Sequence, residues 1–129
     1  MDSIVDLLNR IKNAQAVQQA FVEVPFSNMK FSIAEIMEKY GFVGKVSKTG
    51  KKENKTMKIE LKYDEKNIGR ISGLKRMSKQ GQRAYVGYKD LKPVKGGSGI
   101  AIVSTPRGVM SHIEAIKKKV GGEIIAQIW

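Results

Sequence analysis

The sequence predicts an α+β protein made of two small α+β domains packed together, residues 1–66 and 67–129. Three observations lead there. Helix-period and strand-period patterns come in segregated runs: helix-strand-helix-strand-strand first, then a mostly antiparallel set of strands with one main helix. A polar stretch, Asp64-Glu65-Lys66-Asn67, interrupts the pattern near the middle. Charge is also divided unevenly. Each half holds 12 basic residues, but the first holds 9 acidic residues and the second only 3, giving net charges of +3 and +9.

The first element is an amphipathic helix over residues 3–17. Ile4, Leu7, Leu8, Ile11 and Ala14 recur at helical spacing and form its apolar face. Ser3 or Asp2 can cap it, and Asp6 lies in the first turn, where the helix dipole favours negative charge. Arg10, Lys12 and Asn13 fall outside the apolar face, either as a solvated surface or as phosphate contacts. Phe21 to Val24 reads as a strand that Pro25 ends, because proline lacks the amide a central strand needs.

Ser27 then caps a second helix running to Tyr40, with Met29, Ile33, Ile36, Met37 and Tyr40 on one face and Gly41 as its stop. Phe42–Lys48 and Thr56–Tyr63 form a hairpin. In its second strand Met57, Ile59, Leu61 and Tyr63 alternate with Lys58, Glu60 and Lys62. The basic tip from Gly50 to Lys55 reads as either a solubilising loop or a contact.

In the second half, residues 68–77 read as a strand made irregular by Gly69 and Gly73. Ser78 to Gly81 is a turn, Arg83 to Gly87 a short strand, and Lys89 to Pro93 a helical turn. Gly96 to Gly99 gives a flexible entry to the strand Ile100-Ala101-Ile102-Val103. That strand stops at Ser104-Thr105-Pro106-Arg107-Gly108. The helix expected next, from Ser111 to Lys119, has Ser111 and Glu114 at capping-box spacing and Ile113, Ile116 and Val120 inward. Gly121-Gly122 breaks it, and Glu123 to Trp129 returns as a final strand. This order brings Gly122 and Glu123 beside Ser104 and Thr105.

Composition narrows the function. The net charge is +12 and the pI about 10.0, which favours polyanionic partners. Cysteine is absent, so disulfides and thiolate metal sites are excluded. No apolar run is long enough to span a bilayer, and acids precede the first apolar residues, unlike a signal peptide. The expectation is a soluble intracellular protein with no membrane partner, cofactor or small-molecule substrate.

Catalysis lacks its parts: Ser104 has no base-and-orienter set. His112, the one histidine, reads as a surface or capping residue. The Gly96-Gly97-Ser98-Gly99 run precedes a strand, whereas a phosphate loop follows one and opens a helix. What remains is a loop of hydroxyls and one arginine, held out in the most basic half near Tyr85. Such a loop suits irregular RNA, where unstacked bases lie on aromatic rings and hydroxyls reach base edges and 2′-OH groups. A basic DNA-binding or architectural protein is the competing class, and a hydrolase using Ser104 a further one.

At these residues the sequence resembles a known family, ribosomal protein eight of the small subunit, bacterial type. The resemblance runs from Asp6-Leu7-Leu8-Asn9-Arg10-Ile11-Lys12-Asn13-Ala14, through Arg83-Ala84-Tyr85-Val86 and the segment from Gly99 to Met110, to Gly121-Gly122-Glu123 and the C-terminal strand. It implies primary binding to the central domain of 16S rRNA during subunit assembly, with neighbouring small-subunit proteins as further partners. In some relatives it implies repression through the protein's own operon mRNA.

The resemblance also implies a site centred on Ser104, Thr105 and Tyr85, with Pro106, Arg107, Gly108, Gly122 and Glu123 around it. Lys75, Arg76 and Arg83 are further candidate contacts, as are Arg10, Lys12, Asn13 and Lys30 from the first half. Glu123 either accepts from a base amino group or orients the loop. Two positions depart from common family forms. Pro106 stands where many relatives have a second serine, and it supplies neither hydroxyl nor amide donor. Gln80 stands where a turn proline is common.

Overall fold

The computed structural model describes residues 3–79 and 81–129. Asp2 and Gln80, and the side chain of Ser3, lie outside the described residues. The architecture is mixed α+β, with three α-helices and two antiparallel sheets among the described residues. The chain divides into two compact units, Met1–Ile71 and Ser72–Trp129.

In the first unit, helix α1 (Ser3–Ala16) buries Ile4, Leu7, Leu8, Ile11 and Ala14, the face that periodicity marks out. Strand β1 (Phe21–Pro25) is followed by helix α2 (Asn28–Lys39). Ser27 Oγ accepts from Lys30 N–H at 3.1 Å and caps α2. Strands β2 (Val43–Thr49) and β3 (Thr56–Leu61) form the hairpin, and the sheet order is β1-β3-β2. Pro25 lies inside β1 rather than after it; β1 is an edge strand, where a missing amide costs no ladder bond. Met37, Met57 and Ile59 are buried, but Met29 on α2 is exposed.

The expected strand over 68–77 shrinks to β4 (Leu74–Arg76). Its first part finds other partners: Gly69 bridges to Tyr63, Arg70 N–H donates to the Lys62 carbonyl at 3.0 Å, and Ile71 meets Gln15. Gln15 Nε2 donates to the Ile71 carbonyl at 2.7 Å, and Gln15 Oε1 accepts from Ile71 N–H at 3.1 Å. One amide side chain thus does what a neighbouring strand would do.

In the second unit, β4 is joined by β5 (Tyr85–Val86), β6 (Ile100–Thr105), β7 (Gly108–Ser111) and β8 (Gly122–Ile128), in the order β4-β8-β6-β7. β5 pairs with the start of β8, and β4 with its end. The one longer helix is α3 (His112–Lys117). Tyr88–Asp90 and Lys95–Gly97 are short 3₁₀ turns, the second closed by the Val94–Gly99 bridge rather than left as an open lead-in.

Three expectations change here. The segment after Ser104-Thr105 is not a strand-to-helix loop: it folds back as β7, with Thr105 paired to Gly108. Ser111 does cap α3, its Oγ accepting from Glu114 N–H at 3.2 Å. The helix is shorter than expected because Lys119 already has φ +55°. Ile113 and Ile116 lie on its exposed side, while Ala115 enters the core with Leu91, Val103 and Met110.

The third change is His112, which is buried rather than a surface residue. Its Nδ1 accepts from Ala101 N–H at 3.0 Å. The β6–β7 register ends at Ile102–Ser111, so the imidazole serves the next backbone donor along β6. Burial holds its pKa below the ordinary imidazole value.

Candidate nucleic-acid interface

The site follows from strand register. Tyr85 on β5 stands opposite Glu123 on β8, Glu123 opposite Ser104 on β6, and Ser104 opposite Val109 on β7. Directly opposed residues in antiparallel strands point to the same side, with Cβ atoms about 5 Å apart. Tyr85, Glu123 and Ser104 therefore form one row across the sheet. Val103, Ile124 and Met110 take the other side, against the core. Alternation along β6 thus separates an apolar face from a polar one within two residues.

Tyr85 is 72% exposed, and Ser104 is half-buried. An exposed aromatic ring at that level, flanked by Arg83, is what a base or sugar could lie against. Thr105 is placed differently. It is buried, its hydroxyl donates to the Gly108 carbonyl at 2.8 Å, and the same oxygen accepts from Arg107 N–H at 3.1 Å. The threonine ties the turn that presents Pro106 and Arg107, both exposed, to solvent. Gly108 has φ +114°, a conformation in which a side chain is strained.

Glu123 holds a second loop. Its Oε2 accepts from Ser78 Oγ–H at 2.6 Å and from Arg83 Nη1 at 3.1 Å. Ser78 Oγ in turn accepts from Ala84 N–H at 2.8 Å. This chain ties Ser78, Arg83 and Ala84, just before Tyr85, to the start of β8. The Ser78 hydrogen bond, helped by Arg83 and Arg76, keeps the Glu123 carboxyl below the usual range. Ser78 is fully buried. The sequence marks it only as a turn residue, and no local pattern signals its link to a glutamate 45 positions away.

Gly122 permits close approach. A Cβ there would come within 2.9 Å of the Ser104 carbonyl carbon and 3.1 Å of Thr105 Cα. Arg76 Nη1 donates to the Ile125 carbonyl at 2.7 Å, while Lys75 on the same strand is exposed.

The candidates of the first unit are spread out. Arg10 pairs with Asp6 at 3.1 Å across one turn of α1. Lys12 and Asn13 are exposed on the same helix. Arg10 and Asn13 border a surface groove with Val17 and Phe21. Lys30 is only 8% exposed, which sets it apart from a surface contact.

Among the described residues no cluster of His, Cys, Asp or Glu could hold a metal ion, and no helix is long and apolar enough to cross a membrane. Ser104 lies beside a carboxylate already committed to Ser78 and Arg83, and the imidazole of His112 is committed to Ala101. That is not a nucleophile with its base.

The fold and this surface define a class: a small, strongly basic α+β protein with a polar, aromatic-bearing sheet face. Comparison with known proteins makes the class specific. The Ribosomal protein S8 family profile matches residues 2–129. Proteins named small ribosomal subunit protein uS8 are similar along nearly the whole length. That of Thermoanaerobacter sp. (strain X514) is 47% identical over 99% of this chain and 97% of its own. That of Exiguobacterium sibiricum is 45% identical over the same shares, and that of Petrotoga mobilis 44% identical over 99% and 98%. The chain belongs to the ribosomal protein S8 family. It is accordingly a structural protein of the small ribosomal subunit, not an enzyme.

Proposed function

We propose that this chain is a primary binder of the central domain of 16S rRNA, acting in subunit assembly in the cytoplasm beside neighbouring small-subunit proteins. The row Tyr85–Glu123–Ser104 carries the reading. Ser104 offers a hydroxyl to a base edge or a 2′-OH, and Tyr85 offers a ring on which a base or sugar rests. Base–aromatic stacking typically contributes ~1–3 kcal/mol. Arg107, at the exposed turn, and Lys75 engage phosphates.

Thr105 acts by shaping the turn, and Glu123 by holding the loop before Tyr85. Glu123 Oε2 already accepts two hydrogen bonds, one from a fully buried hydroxyl, which favours orienting over accepting from a base. Arg10, Lys12 and Asn13 add backbone contacts from α1. Lys30 is left out of the contact set because it is buried. The same surface would accept the protein's own operon mRNA wherever that message repeats the distorted helix, giving translational repression.

The test compares Ser104→Ala and Tyr85→Ala with the wild type on a central-domain rRNA fragment and on a generic RNA duplex at matched salt. Losses of tenfold or more on the fragment, with little change on the duplex, are expected. Equal losses on both would remove the row from direct recognition. Duplex DNA bound as tightly as the fragment would favour the architectural alternative.

A further inference from the structure

The β2–β3 hairpin carries a feature that the rRNA reading above does not use. Residues 45–58 hold six lysines and one acidic residue. Two of these lysines converge on a ring pair. Phe26, just after β1, and Phe31, in the first turns of α2, have ring centres 5.5 Å apart. Lys48 Nζ lies 5.4 Å from the Phe26 centre and 5.5 Å from that of Phe31. Lys55 Nζ lies 5.5 Å from the Phe26 centre as well.

The backbone fixes this arrangement. Phe26 N–H donates to the Lys55 carbonyl at 3.0 Å, and the Thr49 and Thr56 hydroxyls are 3.1 Å apart beside the two lysines. Among the described residues no carboxylate pairs with Lys48 or Lys55.

Two ammonium groups placed beside the same ring concentrate positive charge there. An anionic backbone running past them neutralises it. Lysines whose stems already lie on apolar rings also lose less freedom when they bind. From this juxtaposition we propose that Lys48 and Lys55, seated on Phe26 and Phe31, form a second RNA contact that takes the phosphodiester backbone without reading sequence.

The chemistry excludes base readout here. Lys48 and Lys55 already sit over Phe26, Lys48 also over Phe31, and both rings are half-buried, so neither offers the open platform a base needs. An acidic protein segment is the weaker fit, because protein interfaces are depleted in lysine and built around exposed aromatic and arginine anchors. The proposal rests on the chain being an RNA binder and adds to it a contact independent of Ser104.

The experiment uses the full chain with Lys48→Gln and Lys55→Gln together, and affinity for the central-domain fragment measured across a salt series. Each phosphate contact contributes about 0.7–0.9 to the slope of log affinity against log salt. The double variant should therefore be shallower by about 1.5. Lys48→Arg with Lys55→Arg should keep the wild-type slope, which checks that charge rather than misfolding is read. Ser104→Ala should weaken binding with its slope unchanged.

An unchanged slope in the glutamine variant overturns the proposal. So does loss of binding to polyglutamate with RNA binding intact, which would assign the cluster to an acidic protein. If the wild type does not prefer the fragment to a generic duplex, yet the slope still falls on both RNAs, the hairpin contact stands and the central-domain reading fails.

Discussion

Replacing Glu123 by alanine is the most informative single change. It removes the acceptor of the Ser78 hydroxyl and of Arg83 Nη1. Ser78 is fully buried, so its proton is left without a partner, at a cost of about 1–3 kcal/mol. The Arg83 side chain is half exposed, and such a pair contributes only ~0–1 kcal/mol once solvent screening is counted. The total is about 1–4 kcal/mol, which corresponds to a drop in Tm on the order of 10 °C for a chain of this size.

Urea unfolding of Glu123→Ala, Ser78→Ala and the double variant closes the cycle. A coupling of at least about 1 kcal/mol is expected, because the two side chains share one hydrogen bond. RNA affinity should fall with Glu123→Ala, because the loop before Tyr85 loosens. A Glu123→Ala protein within about 0.5 kcal/mol of the wild type, uncoupled to Ser78, would refute the account of a glutamate that holds this loop.

Other outcomes follow from the same geometry. The folded pKa of Glu123 is depressed, so its stabilisation is fully present above the ordinary value of 4.5 and is lost as pH falls through the folded value. Glu123→Gln should flatten the stability profile in that acid range, as read by unfolding at stepped pH. The folded pKa of His112 is also depressed, so stability should start to fall below the ordinary value of 6.5 and level off beneath the folded one. His112→Phe should abolish that dependence while costing about 1–3 kcal/mol at neutral pH, because Ala101 N–H loses its acceptor. Gly122→Ala should cost about 1–3 kcal/mol by forcing β8 away from β6, and should weaken RNA binding with it. Thr105→Val keeps the shape but removes the oxygen that bonds Arg107 and Gly108. It should cost about 1 kcal/mol or more and lower RNA affinity by loosening the turn, as measured by unfolding and by titration.

Much of this architecture can be read from residue order alone. The buried face of α1, the Ser27 cap, the β2–β3 hairpin and the return of Gly122 and Glu123 to Ser104 all rest on local periodicity and turn chemistry. The readings that changed turn on which segments pair and what packs against them. Residues 68–71 look like one strand, but Gly69 and Arg70 turn back on Tyr63 and Lys62, and Ile71 is met by Gln15, 56 positions away. Val109 and Met110 suit a helix as well as a strand, and only pairing with Ser104 and Val103 makes them β7. Lys30 is a candidate RNA contact by sequence, whereas the packing around it leaves it buried.

The sequence by itself determined an α+β class, a charge excess concentrated in residues 67–129, and a hydroxyl-bearing segment at the end of an apolar strand. These depend on composition and on neighbours within a turn or a strand, where local sterics and amphipathic spacing dominate. Only the tertiary structure decided which hydroxyls remain available and which side chains hold them in place. It committed Thr105 to its own turn, gave Glu123 to Ser78 and Arg83, and left Tyr85 in the open. A hydroxyl's role depends on the donor or acceptor that folding brings within about 3 Å, and for Ser78 that partner lies 45 positions away.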